Sequence, residues 1–178
     1  MSLRLMTSGE ITLAQTIFSD TINYAKVWVH NASYFPFGLQ SELTAVTPNG
    51  EMYYPDGVYR KDFSSISIGT AENKSIAGAH MFMHEMTHVW QYQKNYLVKL
   101  HGAFSWAADY NYFLDGSSLM SYSMEQQASI VADYWLLINY GLEIDRPNVR
   151  YKGNLNERTD VLISKYERVL GLFPRCPI

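Results

Sequence analysis

Between Ser75 and Val98 the apolar residues Ile76, Ala79, Met83, Met86, Val89 and Trp90 recur at three- and four-residue steps, the spacing of one buried helix face. No proline interrupts the stretch and Gly78 is its one glycine, so a long central helix is predicted over 75–98. A second long helix is predicted from Ser118 to Tyr140, closed by Gly141, with Ile130, Tyr134, Leu137 and Ile138 as its core stripe. A last amphipathic helix, about 155–171, carries Leu155, Val161, Leu162, Tyr166, Val169 and Leu170. Near the start, Thr7-Ser8-Gly9-Glu10 ahead of ITLAQTIF reads as a capped helix over about 9–18, burying Ile11, Leu13, Ala14, Ile17 and Phe18. No element is predicted ahead of Ser8.

The period changes elsewhere. KVWVH (26–30) alternates like a strand, and LTAVT-PNG-EMYY (43–54) sets two β-rich runs around Asn49-Gly50, a hairpin signal. DFSSISIG (62–69) is a further β-prone run, whereas NASYFPFGLQ reads as loop. HGAFSWAADYNYFLDG is irregular and aromatic, a loop with room for a short helix, and Pro147-Asn148 marks a turn.

At 178 residues, with no internal repeat or linker, the chain is expected to form one domain, 1–178. Fourteen tyrosines and four tryptophans leave ample apolar surface for a core without disulfides. Lys plus Arg number 14 against 17 for Asp plus Glu, with no dense basic run, which argues against nucleic acid and anionic membrane as partners. Cys176 is the sole cysteine, so any metal must be held by histidines and carboxylates. The N-terminus has no signal-peptide core and YWLLI is too short to cross a bilayer, so a soluble protein is expected.

The central helix contains HEMTH. Residues four apart lie one turn apart on nearly the same face, so His84 and His88 can grip one ion. Zinc accepts imidazole nitrogens at about 2.0–2.1 Å, and catalytic sites use three protein ligands and an open position. Glu85, adjacent in sequence, can stand beside the ion and act as general base toward water without ligating it. His80 extends the stripe by a turn, but eight residues rise about 12 Å, so His80 and His88 cannot share an ion. The pair His80 and His84 would have Met81 where the base is needed. His80 is therefore expected to be a hydrogen-bonded core or rim histidine.

Candidates for the third ligand are His101, Asp109, Asp115, Glu125 and Asp133, and spacing alone does not select one. His101 lies thirteen residues past His88, too far for the pattern in which a third histidine follows by six. Glu125 stands in SYSMEQQASIVADYW among residues that turn this helix toward the core, and a glutamate from a second helix completes two-histidine sites, so Glu125 is preferred. Asp133 is expected to orient a ligand imidazole, with Gln91, Gln126 and Gln127 as further candidates for that task. Tyr110, Tyr112 and Tyr122 flank the expected cleft, any of them a possible hydrogen-bond donor to an oxyanion.

With HEMTHVWQ and SMEQQASIVADYW together, the chain resembles the zincin-type metallopeptidase domains attached to, or encoded beside, Vgr-related spike proteins of bacterial type VI secretion systems. The likeness runs from SGEITLAQTIF through FPFGLQ and TPNGEMYYPD to the EQQA helix, with a looser one to HExxHxxQ domains of contractile injection systems. It implies an α+β, zincin-like fold: a small antiparallel sheet or hairpin packed on two long helices, zinc held by His84, His88 and Glu125, and Glu85 as catalytic base. It also implies an effector made in the cytoplasm and delivered to the periplasm of a target cell, with a spike protein and a cognate inhibitor as partners.

The expected function is a zinc-dependent hydrolase, a metallopeptidase acting on peptide or peptidoglycan-like substrate, with the 43–54 hairpin bordering the cleft and offering a strand edge. Two rivals are a non-catalytic adaptor braced by zinc and a peptidoglycan-directed amidase or endopeptidase.

Overall fold

The computed structural model describes residues 2–36, 39–66, 72–96, 109–116 and 118–175, with the side chains of 72 and 73 excepted. Among them the fold is α+β: three short strands and four α-helices in the order β1 (Ser2–Leu5), α1 (Ser8–Phe18), β2 (Trp28–Asn31), β3 (Met52–Tyr54), α2 (Glu72–Gln93), α3 (Met124–Tyr140) and α4 (Thr159–Leu170). Short 3₁₀ turns occupy Pro48–Gly50, Leu119–Ser121 and Leu142–Asp145.

Helix α1 starts where its residues require. The Thr7 hydroxyl accepts from the Glu10 amide at 3.0 Å, and the Glu10 carboxylate accepts from the Thr7 amide at 2.9 Å, a reciprocal capping box. Glu10 is nevertheless fully buried and accepts two bonds from the Arg4 guanidinium (2.7 and 2.8 Å) and one from the Phe63 amide (3.0 Å). Strand β1, helix α1 and the 62–63 turn are thus joined at one carboxylate.

The sheet has the order β1-β2-β3, and it is mixed rather than antiparallel. Strand β1 runs antiparallel to β2, from Ser2 opposite Asn31 to Leu5 opposite Trp28, while β3 runs parallel to β2. The expected 43–54 hairpin reduces to one antiparallel bridge, Val46 with Tyr53. Pro48 diverts the connection into a 3₁₀ turn with Asn49 and Gly50 both at positive φ, and Met52–Tyr54 pairs with β2 instead. The Tyr92 ring of α2 packs against Gly50, where a Cβ would collide with it, which fixes this turn on the central helix. The 62–69 run forms no strand where it is described, because the Asp62 side chain takes the Ser64 amide at 2.9 Å and Glu10 takes that of Phe63; positions 67–69 lie outside the described residues.

The core is built mainly on α2 and α3, which pack most extensively on each other. Ile76, Ala79, Met83, Met86, Val89 and Trp90 are all fully buried, as their spacing predicts. Helix α2 begins at Glu72 and ends at Gln93, shifted toward the N-terminus from the predicted span. Helix α3 begins later than expected, with Ser123 as a capping-box N-cap to Gln126, and closes at Gly141, whose φ is +78°. Of the predicted stripe Ile130 and Leu137 are buried and Tyr134 packs against the core, whereas Ile138 is 42% exposed and Val131, Trp135 and Leu136 complete the buried face. Helix α4 buries Leu162, Tyr166 and Val169 but leaves Val161 outside. Among the described residues, no helix is long and apolar enough to cross a membrane.

Candidate metal centre

Helices α2 and α3 cross in opposite directions, and their register sets the site. His88 meets Glu125, and eight residues earlier on α2 His80 meets Asp133, eight residues later on α3. His84 and His88 therefore share one level of α3, at Glu125, and His80 faces a second level two turns further along α3, at Asp133.

At the upper level, His84 Nε2 and His88 Nε2 each stand 3.2 Å from Glu125 Oε2. One ligand atom from each residue falls within 4.8 Å of the others, so the trio could hold a metal ion. Glu125 occupies the first turn of α3, where the helix dipole favours a negative charge. Burial works against ionisation, but the His88 charge and hydrogen bonds from both imidazoles outweigh it and hold the carboxyl well below its usual range. Burial also opposes a charged His88, while Glu125 raises it to about 9.

The hydrogen-bond pattern permits a direct test of fit. The Gln91 amide nitrogen donates to the Met124 carbonyl and to Gln127 Oε1 (both 3.1 Å), so its oxygen must face His88. His88 Nδ1 lies 2.8 Å from that oxygen and so carries a proton. In a neutral ring Nε2 then presents a bare lone pair to a carboxylate lone pair, an arrangement that needs a proton or a cation between them. The 3.2 Å separations approach the span of two donors about 2.1 Å from one ion at a near-tetrahedral angle. Two imidazoles and a carboxylate, with an amide fixing one tautomer, fit zinc.

Glu85 is 5% exposed and accepts a 2.6 Å hydrogen bond from the Thr47 hydroxyl on one oxygen, Oε2. Thr47 precedes the Pro48–Gly50 turn held on α2 by Tyr92. It carried no signal in the sequence, because its role arises only once that turn docks.

A cavity of about 710 Å³ opens beside His84 and Glu85, walled by Leu43, Val46, Met81 and Tyr110. The Tyr110 ring centre lies 5.9 Å from that of His84. Burial, with Glu125 and Glu85 nearby, pushes the Tyr110 phenol well above its ordinary value, so it remains a donor at neutral pH. The other two tyrosines are committed elsewhere. Tyr112 donates to Asp133 (2.7 Å) and meets Tyr166 (2.6 Å), while Tyr122 donates to the Phe113 carbonyl (2.8 Å).

Asp133 does not orient a ligand imidazole. It accepts from His80 Nε2 (2.9 Å), Tyr112 and the amides of Arg150 and Tyr151, while His80 Nδ1 faces Asp145 at 2.9 Å. The reason is register, since Asp133 lies two turns from Glu125 and meets α2 two turns from His88. His80 is a buried, hydrogen-bonded core histidine. Gln91 faces His88 instead, Gln127 carries its amide onward to the Tyr122 carbonyl, and Gln126 caps α3 and donates to the Asn111 carbonyl. Asp109 and Asp115 are exposed and outside the cluster, and His101 lies outside the described residues.

No protein-family model matches the chain. Over 140 residues it is 35% identical to the type VI secretion system spike protein VgrG2b of Pseudomonas aeruginosa, an alignment covering 75% of this chain and 13% of that protein. The solved effector domain of P. aeruginosa VgrG2b superposes with a TM-score of 0.64 at 32% identity, over 84% of each chain. The chain belongs to the VgrG2b effector-domain family. Membership ties it to Vgr-related type VI secretion proteins. The chain spans only a small part of the full spike protein's length, and the agreement with the solved domain extends over most of both molecules.

Proposed function

We propose that this VgrG2b-type domain is a zinc-dependent hydrolase, a metallopeptidase of zincin type acting as a type VI secretion effector. The observation that carries the reading is the convergence of His84 Nε2, His88 Nε2 and Glu125 Oε2 beside a cavity that also reaches Glu85.

His84, His88 and Glu125 would hold the zinc, with Gln91 keeping the His88 ring turned toward it. When bound, zinc supplies Lewis acidity, polarising a carbonyl and lowering the pKa of water at its open position. Glu85 takes the proton from the attacking water and returns it to the leaving amine. Thr47 holds one Glu85 oxygen at 2.6 Å, leaving the other to exchange that proton. The Tyr110 hydroxyl, which makes no hydrogen bond among the described residues, donates to the oxyanion as it develops. Leu43, Val46 and Met81 exclude water from one side of the bound chain.

A brace would close its fourth position, and the open cavity at His84 and Glu85 favours catalysis over that reading. Kinship with a spike-protein effector domain supports delivery on a spike into a competing cell. The deciding experiment combines metal analysis with hydrolysis of a mixed peptide pool. Near-stoichiometric zinc is expected, with cleavage that a chelator stops and zinc restores. Protein that binds no zinc, or zinc-loaded protein inert toward every peptide, would overturn the proposal.

A further inference from the structure

Arg150 is unlike the other arginines. Its main chain is clamped, the amide donating to Asp133 (2.9 Å) and the carbonyl accepting from Tyr112 (3.3 Å), and its side chain lines the cavity beside His84 and Glu85. Its guanidinium carbon lies 6.0 Å from the Tyr110 ring centre, yet no carboxylate or carbonyl among the described residues pairs with it. Each of the other six arginines hydrogen-bonds an oxygen through its side chain. The two carboxylates that line the cavity are engaged elsewhere, Glu85 with Thr47 and Asp133 with four donors. An arginine fixed at its backbone, supported by an aromatic face and left without a partner is suited to bidentate capture of a carboxylate.

A second group points to the same occupant. Ser129 lines this cavity and is 2% exposed, and its hydroxyl has no hydrogen-bond partner among the described residues. Buried hydroxyls are normally satisfied, so a polar group of a bound molecule is its natural complement. The guanidinium lies within about 12 Å of the His84 ring by way of Tyr110, the reach of three to four extended residues at roughly 3.3–3.6 Å each.

We propose that the cavity recognises a carboxylate of the substrate through Arg150, with Ser129 bonding a neighbouring polar group. The preferred substrates are then peptides bearing an acidic side chain or a free C-terminus within about three residues of the cleaved bond. The cleavage clause rests on the hydrolase reading; recognition of the carboxylate does not.

The test uses zinc-loaded protein and fluorogenic peptides identical except for one Glu or Gln walked across three positions on each side of the cleavage point. Each is made as the free acid and as the C-terminal amide, which separates a side-chain carboxylate from a terminal one. At one position wild type is expected to favour the carboxylate about ten- to hundredfold in kcat/KM, the worth of one charge-assisted hydrogen bond. Arg150→Gln should bring that ratio to within about threefold of unity, and Arg150→Lys should keep part of it. The same peptides are titrated into Glu85→Gln protein by fluorescence anisotropy, so that binding is read without turnover. Arg150-dependent discrimination in binding without any cleavage would sink the hydrolase and keep the carboxylate receptor, whereas cleavage without discrimination would do the reverse. Equal treatment of Glu and Gln at every position, a preference that survives Arg150→Gln, or no binding of any carboxylate peptide overturns the proposal. Should Arg150→Gln fail to fold, the wild-type ratio still decides.

Discussion

Helix α2 carries two histidine–carboxylate clusters one turn apart, and they have opposite characters. Around His80 both ring nitrogens face carboxylates at 2.9 Å, and those carboxylates are met in turn by Tyr112, two backbone amides and the Asn148 side chain. A protonated His80 satisfies this cluster, which ties α2 to α3 and to the turn at Leu142–Asp145. Around His84 and His88 the donors run short. One nitrogen of His88 is taken by Gln91, and both Nε2 atoms converge on one Glu125 oxygen beside an open cavity. Histidines and acids alone do not make a candidate metal site; a surplus of acceptors aimed at one point does.

The contrast can be broken most forcefully at Glu85. Glu85→Gln is expected to lower peptide hydrolysis by about 10²–10⁴-fold while zinc stays bound, checked by turnover assay and metal analysis on the same sample. Asp133→Ala should leave metal content unchanged and cost about 3–5 kcal/mol of stability by denaturant titration, since it strands His80, Tyr112 and two amides in the core. A drop in zinc content without a drop in stability would erase the distinction between the clusters.

The His80 cluster should also give stability a pH dependence. Burial opposes its charge, but hydrogen bonds to Asp133 and Asp145 raise it to about 9, above the ordinary 6.5. A raised folded-state value means that the stabilisation is whole below about pH 6.5 and fades as pH climbs through about 9, a loss on the order of 3 kcal/mol. Chemical denaturation of zinc-saturated protein across that window should show the decline, and His80→Gln should flatten it.

Smaller effects sharpen the other side. Gln91→Leu frees the His88 tautomer and should weaken zinc affinity about 10–100-fold in competition with a chelator. Thr47→Val, which removes the 2.6 Å bond to Glu85, is expected to lower kcat about tenfold with KM little changed.

What could be read from the residues divides along the range of the interactions. The four α-helices follow from local periodicity and capping residues, and the pairing of His84 with His88 follows too, since it needs only one helical turn. Glu125 was accessible because its helix had to turn inward. The error at Asp133 came from leaving the helix register undetermined, although the equal eight-residue intervals from His88 back to His80 and from Glu125 on to Asp133 foreshadow an antiparallel crossing. Strand β1 escaped notice because its Ser-Leu-Arg-Leu alternation is only four residues long, and the face that Leu3 and Leu5 share points outward, 56% and 45% exposed, so no burial demands it. Thr47 and Arg150 gain their roles from a docked turn and a clamped loop, contacts far apart in the chain that no local pattern encodes.

The Glu10 carboxylate gives Ser2–Leu5 an importance that their exposure conceals. A truncated or fused version that discards Ser2–Leu5 removes the guanidinium neutralising a fully enclosed negative charge, and with it one edge of the sheet. Engineers who shorten this protein, or splice it behind a carrier, should therefore place the junction upstream of Ser2 and treat Arg4 as part of the folded body.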